Sequence, residues 1–590
     1  MEKTTKRRSP RAQALLQFGL IVGIIFFVNF IANTFYTHFD LTEEKRFTLT
    51  KPTRELLNGL NERVFIEVLL DGEFPAGFKR LQSTTREMLD DFRSETGYVD
   101  YRFEDPSAGS IDDINDRRKA LSENGINPVN LRVMEQGEST QKLIYPFAIV
   151  HYKNRQMPVK LLENESPTLS PDEVINNSVS LLEYKFANAI KKLEAQSKPI
   201  ILFTDGHGEL NELQTTDLQR SLSQFYETDR IILDSVVEVP TKSTLAKKPV
   251  QPGEFIRKPC EMLIVAKPKT AFSEKDKFKI DQYVMNGGKV IWLIDRLGAS
   301  LDSMRINGHF IPRDYPINLE DILFKYGVRI QPDLVVDLQC TKIPLQTGVV
   351  GNAPQYEMFP WFFHPAVLPS VDHPIVKNLD RTELRFCSSI DTIRTKTAVK
   401  KTPILRTSKY SRLQFSPIDL SFDILRYQPD PAKFDKGEQN VGVLLEGIFP
   451  SNYENRVSQE MAAGLTRAGV QFKSVSEPTR MLVISDGDVA ANPTRIDEKG
   501  EETWLPLGFN KFERTTYSNK DLMLNAVEYL TDASGVIEAR SREVKLRLLD
   551  TVSAKSEKTF WQSVNIGTSV AFVALFGFLF TWLRKRKYSR

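Results

Sequence analysis

The sequence predicts an α/β protein. A large extracytoplasmic region of parallel-sheet α/β domains with a β-rich insertion is expected between two membrane-spanning helices. Three observations predict this. Two long apolar segments without charge lie near the ends of the 590-residue chain. Between them, short apolar runs alternate with amphipathic helical stretches, the pattern of α/β units. Several of those runs are apolar at every position, as strands covered on both faces must be.

The terminal segments come first. Ala12–Thr37 and Thr559–Leu583 contain no charged residue. About 20 apolar residues in a helix cross a bilayer core about 30 Å thick, so spans are expected at 14–36 and 563–583. Trp561 and Trp582 mark the two ends of the second span, where amphipathic rings favour the interface with lipid. The first apolar stretch is too long for an ordinary signal-peptide core and lacks a small-x-small site, which favours an uncleaved anchor. Residues 1–11 carry a net +4 and residues 584–590 a net +5, so the remaining chain is −6 within an overall +3. Basic tails at 1–13 and 584–590 put both termini in the cytoplasm and the long intervening region on the outer side. An acidic folded region between short basic tails argues against nucleic acid as a partner. Cys260, Cys340 and Cys387 are odd in number and far apart, which gives neither a disulfide framework nor a metal site.

Length suggests roughly three or four domains. Residues 40–195 read as a first α/β domain. Thr50 before Lys51-Pro52 starts a helix, "VFIEVLL" (64–70) is a strand, 76–94 is helical, and "YVDYRF" (98–103) is a second strand. A helix ending at Gly125 follows, then strands around Leu131–Met134 and Ile144–Tyr152. Ser170 caps a long helix reaching residue 194, with Ile175, Val179, Leu182 and Phe186 on its buried face.

A second α/β domain begins at 196 and has its first part over 196–338. It contains "IILF" (200–203), a helix from Leu213 to Phe225, "RIILDSV" (230–236) and "EMLIVAKP" (261–268). A helix capped by Ser273 and ended by Gly287-Gly288 leads into a buried strand, Val290–Ile294. Residues 318–338 repeat the helix-glycine-strand pattern. Residues 339–480 are a β-rich insertion or subdomain, and whether they join the same sheet is left open by the sequence. Residues 481–550 complete the domain with a strand at 481–485 and the helix "NKDLMLNAVEYLTD", and 551–562 is a juxtamembrane linker.

Ligands of open parallel sheets bind beyond the carboxyl ends of the strands. Two polar loops fall there. One holds Asp205, Gly206, His207, Gly208 and Glu209; the other holds Asp486 and Asp488. If 205–209 were extended, Asp205, His207 and Glu209 would share a face, as a metal or acid/base site requires. Glycines at 206 and 208 argue instead for a turn exposing backbone N–H groups, which suits anions. The plainer reading is a strand-to-helix turn whose side chains bond local backbone. Asp486 and Asp488 in "DGD" could hold a cation, although an Asp-Gly turn is commoner. There is no G-x-S-x-G or G-x-C-x-G elbow, no G-x-x-x-x-G-K-[ST] and no H-E-x-x-H. His38, His151, His309, His364 and His373 are scattered. A non-catalytic protein is expected, with no metal and no cofactor.

"FDLTEEKRFTLTKPTRELL" after the first span, "INNSVSLLEYKFANAI", "FTDGHGEL", "FSEKDKFKIDQYVMNGGKVIWLID" and the closing "SREVKLRLLD" occur in order along the chain. Together they resemble the gliding-motility-associated GldG family, auxiliary subunits of an ABC transporter in gliding Bacteroidetes-type bacteria. The resemblance implies an ABC permease and an ABC ATPase as separate partner chains, and a link to gliding motility. It implies a periplasmic, Rossmann-like outer domain anchored in the cell inner membrane. That domain would be loosely similar to class I glutamine amidotransferases without their cysteine nucleophile. Two spans are too few to enclose a transport path, so a sensing or coupling module is expected, in contact with membrane lipid and compatible with a homo-oligomer in the complex. The alternatives are a membrane-anchored hydrolase using the 205–209 and 486–488 loops, and an envelope scaffold.

Overall fold

The computed structural model describes residues 18–24, 26–27, 48–541 and 556–588, apart from gaps at 73, 136–137, 164–169, 235–237, 244–255, 352, 370, 427, 468–470 and 498. The N-terminal lobe runs α1 (Lys51–Asn58), β1 (Val64–Val68), α2 (Ala76–Glu95), β2 (Val99–Phe103), α3 (Ile111–Glu123), β3 (Phe147–Tyr152), β4 (Arg155–Lys160), α4 (Pro171–Ser180) and α5 (Leu182–Glu194). Its sheet has the order β2-β1-β3-β4. The β1–β2 pair is parallel and the rest antiparallel. Alternation in β1 turns Val64, Ile66 and Val68 into a core shared with Phe92 of α2 and Phe186 of α5.

Two expectations are corrected in this lobe. The strand expected over 144–152 is two strands, because Ile144 ends a separate hairpin, Val129–Glu135 with Glu138–Ile144. The long helix expected to reach residue 194 is interrupted at Leu181. There the Ser178 hydroxyl donates to the Val174 carbonyl at 2.6 Å while accepting from the Glu163 N–H at 2.8 Å. Such back-bonding bends helices.

The second lobe contains β5 (Ile200–Asp205), α6 (Glu212–Ser223), β6 (Glu227–Ile232), β7 (Met262–Ala266), α7 (Glu274–Met285), β8 (Lys289–Leu293), α8 (Glu320–Tyr326), β9 (Val399–Arg406), β10 (Asn440–Gly447), α9 (Gln459–Arg467), β11 (Thr479–Ile484) and α10 (Asn519–Thr531). They form a seven-stranded sheet in the order β9-β10-β11-β8-β7-β5-β6. Strands β6, β5, β7, β8 and β11 are parallel; β10 and β9 close one edge antiparallel. Successive residues of the continuous apolar strands enter opposite cores. Phe203, Ile264 and Ile291 pack with Leu218 of α6 and Ala526 of α10, while Leu202, Leu263 and Trp292 pack with Ile280 of α7 and Tyr326 of α8. Helices therefore cover both faces, as continuous apolar strands demand.

Residues 339–480 thus supply two strands of the main sheet. The same stretch also builds a long hairpin, Cys340–Val350 with Ala353–Val367. By contrast, Asp333–Asp337, read as part of the repeating α/β pattern, pairs antiparallel with Ser411–Phe415 outside the seven-stranded sheet.

Residues 556–588 are a unit of their own, dominated by α11 (Lys558–Tyr588). Among the described residues it is the one helix long and apolar enough to cross a membrane, over Lys558–Arg586. The expectation of two flanking membrane helices is accordingly reduced to one at the C-terminal end. Of the segment 14–36, residues 18–24 and 26–27 are helical, and the remainder lies outside the described residues.

Candidate functional site

From β5 the chain moves to β6 on one side and returns to β7 on the other. The crevice between the carboxyl ends of β5 and β7 is thus the point where an open parallel sheet offers a ligand site, and the 205–209 loop lies there. Its glycines decide its shape. Gly206 (φ 111°) and Gly208 (φ 73°) are in conformations that L side chains rarely adopt. The loop therefore turns at both positions, and the three polar side chains do not share an extended face. Asp205 stays half-exposed at the strand end, 3.7 Å from Arg230.

His207 and Glu209 come together and are buried. Glu209 Oε2 accepts the His207 backbone N–H at 2.6 Å, and its Oε1 lies 3.6 Å from His207 Nδ1. The ring stacks on Phe272 at 3.8 Å between centroids and 7° between planes. On its far side, Nε2 lies 3.4 Å from Asp276 Oδ2, the carboxylate of the α7 capping box. The remaining bonds point the same way. Gly206 N–H is taken by Asp205 Oδ1 at 2.9 Å, while Lys269 and Thr270 donate to the His207 carbonyl at 2.8 and 3.0 Å. Two of the turn's backbone donors, the Gly206 and His207 N–H groups, are thus taken by the loop's own carboxylates.

Burial works against the His207 charge, but Glu209 and then Asp276 outweigh it, so its pKa lies above 6.5. Glu209 is held low: burial opposes its charge and the bond from His207 favours it. A raised histidine stabilises the fold fully below its unfolded value and less as pH rises through its folded value. Thermal melts of the full-length protein in detergent are expected to fall as pH climbs from about 6.5 upward. The same melts of His207→Gln should start lower and lack that slope; an unchanged slope would show that this pair does not govern it.

The second loop is built differently from its expectation. Asp486 Oδ1 accepts Asp488 N–H at 2.7 Å, capping a short 3-10 turn at Gly487–Ala490, and Oδ2 accepts Arg385 N–H at 2.7 Å. The cation that a "DGD" turn might hold is supplied by the protein itself. Lys267, at the carboxyl end of β7, lies 2.5 Å from Asp488 and 3.1 Å from Asp295, which follows β8. Asp295 also accepts Gly487 N–H, and Arg385, paired with Glu383 at 2.8 Å, adds a second positive charge.

Burial alone would lower the Lys267 pKa, but Asp488 and Asp295 raise it above the usual lysine range. Burial, then the neighbouring Asp488, pushes Asp486 well above the ordinary carboxylate range. His364, buried beside Phe386, is held neutral by burial. Sequence reasoning missed Lys267, Asp295 and Arg385. The signal was a charged residue directly after a continuous apolar strand, in "LIVAKP" and "WLID". Among the described residues no group of histidine, cysteine and carboxylate side chains is arranged to hold a metal.

Beside the first loop, a cleft of about 1200 Å³ runs along α7, bounded by residues 239–242 and by Tyr453, Met461, Leu465 and Lys473. Gly206 and His207 contribute to its wall, Phe278 and Tyr453 give it an aromatic side, and Lys242 and Glu477 stand at its rim. The model for a family described as an ABC-type uncharacterized transport system matches residues 198–526, more than half of the chain. The chain belongs to that family. Residues 43–151 match a domain of unknown function. An uncharacterized protein of Borreliella burgdorferi (strain ATCC 35210 / DSM 4680 / CIP 102532 / B31) is 23% identical over 463 residues, covering 78% of this chain and 82% of that protein. Among solved structures, the mmIFT52 N-terminal domain covers 57% of this chain and 98% of its own at 12% identity, with a TM-score of 0.30. Family membership makes the chain an auxiliary component associated with an ABC transport system, and α11 is its candidate membrane anchor.

Proposed function

We propose that this chain is a non-catalytic, membrane-anchored auxiliary subunit of an ABC transporter, acting as a periplasmic sensing or coupling module. The observation that carries this reading is how the 205–209 loop is bonded. Its histidine and both carboxylates bond within the turn and to the α7 cap, which supports a structural loop at the sheet's ligand position. The basic tails favour a two-pass topology with both termini in the cytoplasm and the folded region outside the inner membrane. The partners are then a permease and an ATPase on separate chains, with gliding motility as the process served. A membrane anchor suits a module held at high local concentration beside the permease. Where the module takes a ligand, it enters the α7 cleft past Gly206. Asp205, Gly208, Glu209, Asp486 and Asp488 are engaged within the fold.

The test is mass spectrometry of what co-purifies with the tagged full-length protein from its native membrane in mild detergent. A multi-span permease and an ATPase in stoichiometric amounts are expected. Recovery alone, or with cell-wall material, would overturn the reading in favour of a scaffold.

A further inference from the structure

We propose that the projecting half of the hairpin 340–367 is a docking arm, and that one face of it binds an apolar, uncharged surface on the extramembrane part of the transporter's membrane-embedded chain. This rests on the transporter reading above.

The second strand of the hairpin changes character half-way. Trp361, Phe362 and Phe363 are buried in a core with Leu334 and Phe434, whereas Ala353–Met358 are exposed. The projecting part extends about 20 Å at roughly 3.3 Å per residue. A lone two-stranded ribbon is marginal in water, so one held out from the body calls for a purpose.

The register shows what the arm displays. Met358 pairs with Pro344, Tyr356 with Gln346, and Pro354 with Val349. Cross-strand partners share a face, as do every second residue of a strand. Val349, Tyr356 and Met358, which are 61%, 60% and 41% exposed, therefore lie on one face with two prolines and a glutamine. From Leu345 to Tyr356 the sequence has no charge at all, and the first charge on this face is Lys342, opposite Pro360 at the base of the arm.

Tyrosine and methionine with charge depleted describe the centre of a protein–protein interface. A bilayer is the poorer fit, since the apolar stripe lies along the ribbon and the nearest cation on this face, Lys342 opposite Pro360, is a single charge at the base of the arm and not a basic cluster. Pairing of two copies edge to edge is disfavoured too, because Pro344, Pro354 and Pro360 each lack a ladder donor. The partner thus meets the face and presents no charge of its own.

The experiment places a photo-crosslinking amino acid at Tyr356 in the full chain, with the opposite-face position Gln355 as control, in the native membrane. An adduct with the transporter's membrane chain from position 356 and not from 355 is expected. In parallel, the triple variant Val349→Asp, Tyr356→Asp, Met358→Asp should melt as the wild type does and retain at least about tenfold less transporter chain. A wild type that retains the transporter, with no adduct at 356 and no loss in the triple variant, overturns the arm and leaves the functional reading standing. Adducts with lipid or with a second copy overturn it in favour of those occupants. A wild type that retains no transporter chain overturns the functional reading and the arm with it.

Discussion

Replacing Lys267 with Met is expected to destabilise the protein by about 3–5 kcal/mol, the usual cost of removing one member of a buried ion pair. Lys267 is the positive charge nearest to Asp488 and Asp295. Without it two carboxylates, with Asp486 beside them, face each other where water hardly reaches. Burial already makes Asp486 and Asp295 resist ionisation, so the strain falls on Asp488. The double variant Lys267→Met, Asp488→Asn should recover a substantial part of the loss, because neutralising Asp488 removes an unpaired charge. Melting of the full-length protein and both variants in detergent measures this. A single variant within about 1 kcal/mol of wild type would mean that water or rearrangement compensates the cluster.

The second large effect concerns the joint between the lobes. Glu528 of α10 accepts the Tyr184 hydroxyl of α5 and lies 2.8 Å from Lys192. One turn on, Asp532 holds Lys191 at 2.5 Å. Arg540 lies over the Tyr184 ring at 5.0 Å, closing the joint from above the helices. Glu528→Leu leaves a buried tyrosine hydroxyl and a poorly solvated ammonium without their acceptor, at a cost of about 3 kcal/mol. Because that energy is held between lobes, the expected signature in calorimetry is a melting transition that splits into two, the N-terminal lobe separating from the seven-stranded one. A transition that merely shifts, still single, would show that the lobes are coupled elsewhere.

Much of this architecture was legible because the chemistry of burial is written locally. The runs at 200–203, 262–266, 290–294 and 481–484 are apolar at every position, which only doubly covered strands require. The caps at Ser170 and Ser273 are read from four residues each, and both helices begin where those residues say. The edge strand β9 was harder. "VKKTPILR" mixes charge, proline and aliphatics because one of its sides is an outer edge, so its pattern follows no single period. The break at Leu181 was invisible for another reason: Ser178 bends the helix through a bond to Glu163, distant in sequence. At the site, the turn glycines correctly favoured a turn. The charges of Lys267, Asp295 and Arg385 converge from three separate segments, and a sequence shows each alone.

The placing of β11 has a consequence for how the molecule is made. It sits between β8 and β10, and Thr479 bonds to Gly288, 191 residues earlier in the chain. The last strand of this sheet to be synthesised is therefore an interior one. Before it arrives, β6, β5, β7 and β8 form one incomplete ladder and β9 with β10 another, each with an unpaired edge, and neither can grow by local contacts. Loop-closure entropy over such a distance slows this step. The folded state is thus the product of a late keystone, reached only when nearly 480 residues of chain are available to assemble around it.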